Sequence, residues 1–266
     1  MDAETTPLDA AHAAMMRDEA DDAARMRYYA ALADTELFVM LAREAEGATI
    51  APRVFDLDEG PIALAFDSEA RLAECADVAV PYAAMPGRVL ARELAAQGVG
   101  LGINLGAKAP AMLLAVTALG WLTGTLAVAP DIGRGEVRRY GPPAGLSELV
   151  LAALGRAFAR AAGAAGSAYL VGATYDDGRT GHLVAIVGAQ PGSEAALAKT
   201  IAEALTFSGE ESGAVDVTFL APDDPALGEV KALAHVFDLR RPEPQPAETA
   251  PRQAPGMDPA RPPKLR

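Results

Sequence analysis

The chain of 266 residues is 51% hydrophobic and 22% charged, with a formal net charge of −13. That excludes a wholly disordered chain, and it excludes a nucleic-acid binder, which needs clustered Lys and Arg to displace counterions from phosphate. The single cysteine, Cys75, excludes an internal disulfide framework and any cysteine-built zinc site, in keeping with a reducing cytoplasm.

Met1 to Asp22 is acidic and lacks a positive stretch followed by an apolar one, so it does not read as a secretory signal. Leu8 to Ala33 is free of Gly and Pro and predicts a leading helix, with Asp18 to Asp22 as a solvated acidic block. Leu37 to Ala42 is an apolar run of strand length. Arg53–Leu57 and Ile62–Phe66, separated by Asp58-Glu-Gly-Pro61, predict a hairpin. Asp67 or Ser68 then caps a short helix ending near Ala76. Pro86 to Gln97 predicts a second helix, stopped by Gly98. Val99 to Ile103 is a glycine-diluted strand, Asn104-Leu-Gly106 turns the chain, and Met112 to Leu126 supplies a strand and a helix. Ala109 to Pro130 carries no charge but is rich in Ala and interrupted by Gly, Thr and Pro, which predicts a buried segment and no membrane insertion.

Ala129 to Pro143 holds prolines, glycines and the charged patch Arg134 to Arg139, and reads as a linker. Beyond it, Leu146 to Ala161 repeats apolar residues at three- and four-residue steps and predicts an amphipathic helix. Ala168–Val171 and His182–Val187 flank a hairpin loop at Asp176 to Gly181. Ser193 caps a further helix, Val215–Phe219 alternates as a half-buried strand, and a helix at Leu227–Ala234 leads to a strand at His235–Leu239. The expected fold class is therefore α+β, with two mixed sheet-and-helix domains in tandem at 1–128 and 144–239. From residue 240 to 266 prolines recur every few residues, six cations face three carboxylates, and a disordered tail is expected.

The residues of the first half carry a resemblance. Leu37-Phe-Val, Phe66-Asp-Ser-Glu-Ala-Arg-Leu72, Met85-Pro-Gly-Arg88, Gly98-Val-Gly-Leu-Gly-Ile-Asn-Leu-Gly106 and Leu119-Gly-Trp-Leu122 follow in order the pattern of the SseB, or enhanced-serine-sensitivity, family. The resemblance spans about Tyr28 to Leu126, and the second half resembles the family's C-terminal domain more loosely. It implies a two-domain α+β protein. Some members carry a type III secretion label, the name records a serine-sensitivity phenotype, and no catalytic residue carries over.

The motifs that would carry chemistry each meet a plainer reading. The run Gly98-x-Gly-x-Gly102 follows a helix instead of opening one and, counted from Gly100, places Leu105 where a dinucleotide fingerprint needs its third glycine, so a tightly packed strand is expected. Cys75 reads as a small buried hydrophobe, and His12, His182 and His235 are too scattered for a metal site. Asp176-Asp177 and Asp223-Asp224 read as turn and cap residues. Asp67 and Ser68 stand where a strand runs into a helix, a place for either a cap or a ligand. Asn104 is either a left-handed turn residue or a polar group at a cleft edge, with Arg88 as its neighbour. Asp67, Ser68, Arg88 and Asn104 are thus the candidate ligand or partner surface, with no catalytic, cofactor or metal residue assigned. The functional expectation is a cytoplasmic binding or regulatory protein that takes a protein partner or a small molecule, with self-association left open. Its rivals are a small-molecule hydrolase or transferase tied to serine or sulfur metabolism, and an accessory or chaperone for secretion.

Overall fold

The computed structural model describes residues 5–47, 49–58, 60–76, 78–131, 133, 135–209 and 215–241. Two helices, α1 (Pro7–Arg17) and α2 (Asp22–Asp34), open the chain where one was expected. The reason lies in the acidic block: Asp18 adopts extended backbone and accepts from Ala20 N, and Asp21 caps α2 by accepting from Ala24 N. Short acidic side chains compete with the helix for backbone donors, so a cluster of them breaks a helix and restarts it.

The first sheet is built from β1 (Glu36–Met40), β2 (Val54–Leu57), β3 (Gly60–Phe66), β4 (Tyr82–Pro86), β5 (Gly100–Ile103) and β6 (Met112–Leu114). Its order is β4-β1-β3-β5-β6, with β2 also on β3. Only the β3–β5 pair is parallel, joined through α3 (Glu69–Cys75), β4 and α4 (Gly87–Ala96). Strand β4 was not expected; it is Ala-rich and bounded by prolines, which is tolerable on an edge strand paired only with β1. The helix α5 (Val116–Ala127) accounts for the uncharged stretch, and no helix among the described residues is long and apolar enough to cross a membrane. Leu32, Leu37, Leu90, Leu94, Leu101 and Leu122 are fully buried between this sheet and α1, α2, α4 and α5. Each such side chain contributes about 2 kcal/mol by leaving water. The opposite face is closed by Phe66, Met40 and Leu72 under α3.

The second sheet holds β7 (Val137–Gly141), β8 (Ser167–Tyr175), β9 (Thr180–Val187), β10 (Val215–Leu220) and β11 (His235–Asp238), in the order β10-β9-β8-β11 with β7 also on β8. Helices α6 (Glu148–Arg160) and α7 (Glu194–Thr206) cover one face through Leu154, Phe158, Leu197 and Ile201, and α8 (Leu227–Leu233) covers the other through Val230. Strand β7 lies inside 129–143, the stretch expected to be all linker. Its adjacent Arg138 and Arg139 hid it, yet exposed charge is usual on the rim of a sheet. Ser193 stands at the start of α7, but its hydroxyl donates to Gln190 O and Ala164 O and caps nothing. Of the expected tail, only Arg240 and Arg241 fall within the described residues.

Phe207, at the C-terminal end of α7, is buried in the core of the first sheet and packs edge-on against Trp121. Gly209 passes so close to Ala23 that a Cβ there would collide with its backbone, and the Arg27 guanidinium donates to Ser208 O. The helical layers of the two sheets therefore meet along a seam.

Candidate functional site

Two polar constellations contain the candidates chosen from the sequence. The first lies at the C-terminal ends of the parallel pair β3 and β5. Asp67 follows β3, and its backbone N–H donates to Asn104 Oδ1 at 3.2 Å. Asn104, 1% exposed, has φ +53, and its side chain donates to Pro110 O. Ser68 caps α3 by accepting from Arg71 N. The sequence reading of Ser68 as a cap and of Asn104 as a left-handed turn residue describes the bonds they make, whereas the Asp67 carboxylate makes no capping bond and is taken up by side chains from elsewhere. What could not be read was the centre of the cluster, Arg71, whose guanidinium donates to Asp67 at 2.7 Å and to Asp9 of α1 at 3.0 Å. Thr6 closes the ring by donating to Asp67 and forming a reciprocal cap with Asp9. Burial pushes Asp9 towards its neutral form, but hydrogen bonds from Arg71 and Thr6 prevail and hold its carboxyl below the usual range. Each carboxylate has Arg71 as its cation and a donor from Thr6, the hydroxyl for Asp67 and the backbone N–H for Asp9, so the cluster fastens α1 to the sheet.

Arg88 does not join them. It stands at the seam, near the start of α4, and its partners are Asp34 at 2.6 Å and Glu203 of α7 at 3.1 Å. A second guanidinium, Arg160 at the end of α6, reaches Asp34 at 3.0 Å, and Lys199 approaches Glu203 at 4.0 Å. Burial disfavours the charged Arg88, yet its bonds to Asp34 and its proximity to Glu203 more than offset this. Asp34, Arg88, Arg160 and Glu203 line a hollow of about 300 Å³ with Thr200 and Pro86, open to solvent between the two halves.

The helix ends sharpen the point. Arg88 is a cation in the first turn of α4, and Asp34 is an anion in the last turn of α2. Both oppose the helix dipole, at a cost of about 0.3–1 kcal/mol each. Residues that break a local rule mark places where another requirement has prevailed. Here that requirement is the bond between Arg88 and Asp34 and the attraction of each to the second half. Sequence reasoning missed Asp34, Arg160 and Glu203, because only the packing of distant helices brings them together. The signal it did contain was an arginine immediately after Pro86-Gly87, where a helix start favours an acid.

The remaining chemical groups hold ordinary contacts. The Cys75 thiol donates to Leu105 O, His182 Nε2 bonds Ala144 O, and His12 and His235 stack edge-on against Tyr28 and Phe237. Among the described residues no group of three or more His, Cys, Asp or Glu is placed to hold a metal ion.

Residues 8–117 match the family model described as the SseB protein N-terminal domain, which covers the first sheet and α1 to α4 but only the start of α5. No curated protein and no solved structure matches the chain.

Proposed function

We propose that this chain, whose N-terminal part belongs to the SseB family, is a non-catalytic binding protein that takes a small zwitterion, an α-amino acid, in the seam between two domains at 1–128 and 144–239. The observation that carries this reading is one hollow lined from both halves by two guanidiniums and two carboxylates. A zwitterion fits such a lining by exchange of partners. Its carboxylate takes over Arg88 and Arg160, and its ammonium takes over Asp34 and Glu203, so no charge is left unpaired during binding. The hollow has the size of a metabolite site, and the boundary between two sheets is a common place for one. The serine-sensitivity phenotype in the family name makes L-serine the first compound to try.

The test is thermal unfolding of the full chain with L-serine, with glycerate, which lacks the ammonium, and with ethanolamine, which lacks the carboxylate. A ligand present at one hundred times its dissociation constant stabilises by about 2.7 kcal/mol. L-serine is expected to raise the melting temperature and the two analogues to leave it unmoved, while Arg88→Ala abolishes the response. Equal stabilisation by glycerate, or a response that survives Arg88→Ala, refutes the zwitterion site.

A further inference from the structure

A second hollow, about 410 Å³, opens between α2 and α5, away from the charged seam. Its wall is aromatic and sulfur-bearing: Tyr29 and Trp121 lie 5.0 Å apart with tilted rings, with Met26 and Ala118 beside them. Trp121, the sole tryptophan of the chain, is 43% exposed although Phe207 buttresses its edge. The rim carries Asp22 and Arg25, which pair at 3.2 Å and leave the Asp22 side chain 86% exposed. Asp18, Glu19 and Asp21 adjoin it in the turn before α2 and are only partly offset by Arg25 and Arg27.

An aromatic wall beside solvent-exposed carboxylates in net acidic surroundings is the chemistry that receives a cationic polyproline II chain. Such chain has already lost most of its conformational freedom and presents flat apolar ring faces, so ordering it costs little. This sequence contains a matching ligand. Pro259-Ala-Arg-Pro-Pro-Lys264 spaces prolines at i, i+3 and i+4 and follows them with a cation, and the last fifteen residues carry Arg252, Arg261, Lys264 and Arg266 against Asp258 alone.

The point of departure suits the journey. Leu239 is buried and bonds Gly163 and Gly166, and Arg241 lies over Gly163, just past the end of α6. That end touches the C-terminus of α2 through Arg160 and Asp34. The 13 residues of α2 span about 20 Å from there to Asp22. Polyproline chain from Arg241 to Pro259 covers up to about 56 Å at 3.1 Å per residue, enough to reach the hollow with slack. We propose that the Pro259–Lys264 segment of this chain docks on the Tyr29–Trp121 hollow, prolines against the rings and Lys264 towards Asp22.

Trp121 is the reporter. The full chain is compared with a full-length Pro259→Ala, Pro262→Ala, Pro263→Ala variant, whose substitutions lie outside every described core. The variant is expected to show tryptophan emission at longer wavelength and acrylamide quenching increased about twofold, as an indole face is returned to water. A synthetic peptide of residues 255–266 is expected to reverse both changes when added to the variant. The parent signal should be unchanged on hundredfold dilution, as binding within one chain requires. Identical emission and quenching in parent and variant, with no response to peptide, overturns the proposal. A parent signal that shifts on dilution, together with a dimer in sedimentation, assigns the hollow to the tail of a second copy and overturns it equally.

Discussion

Arg71 joins residues that lie far apart in the sequence, Asp9 on α1 and Asp67 at the end of β3, in a site where its side chain and both carboxylates are almost fully buried. Removing one member of a buried ionic cluster is costly because it strands the others. Asp9→Asn is expected to destabilise the fold by about 3 kcal/mol at neutral pH, the lower end for such a change because Arg71 keeps Asp67. The pH dependence has a definite sign. Asp9 titrates below its ordinary value of 3.8 in the folded protein. Its contribution is therefore present above that value and lost as the pH falls through the folded one. Urea unfolding between pH 7 and pH 2 checks this: the gap between the parent and Asp9→Asn curves should hold near neutrality and narrow as the pH falls below 3.8. A constant gap would contradict it. The local roles of Ser68 and Asn104 were legible, because capping and left-handed turns are decided within a few residues. The network was not, because nothing in the sequence around Asp9 or Arg71 announces a partner about sixty residues away.

At the scale of elements, the clearest case is the entry to α4. Gly87 N donates to Thr35 O, and a Cβ on Gly87 would run into the backbone carbonyl of Leu32. The glycine lets α4 touch the end of α2, which in turn brings Arg88 beside Asp34. Backbone cannot move aside as a flexible side chain can, so Gly87→Ala is expected to cost about 3 kcal/mol and to weaken any ligand response at the seam. Denaturant midpoints check the first part, and a midpoint equal to that of the parent would show that the helices separate without penalty. Gly100 makes a related point inside β5, where a Cβ would press on Leu114 O of the neighbouring strand. The glycine-diluted strand was thus readable as close packing. Helices with a clean apolar stripe, such as α6, and the two hairpins were readable too. Strands β4 and β7 were not, because Ala, Pro and paired arginines suit a rim position but give no period of two. The break between α1 and α2 was hidden because a run of acids was read as solvated surface and not as competition for backbone donors.

At the scale of the whole molecule, the first mixed sheet carries four helices on one face and the second carries two, and these helical layers meet. Phe207 inserts into the first core from the second half, and Arg88 and Arg160 cross the seam to carboxylates on the other side. The α+β class was legible from the order of elements. The seam was not, because each of its residues looks like ordinary surface charge in its own helix. The central claim is that a small zwitterion binds where the two halves meet, and amide NMR of the full chain titrated with L-serine addresses it directly. The account predicts saturable shifts clustered on Asp34, Arg88, Arg160, Thr200 and Glu203, from both halves at one common concentration dependence, with Trp121 and Asn104 unmoved. Shifts confined to one half, or centred on Asp67, Ser68 and Asn104, would contradict it.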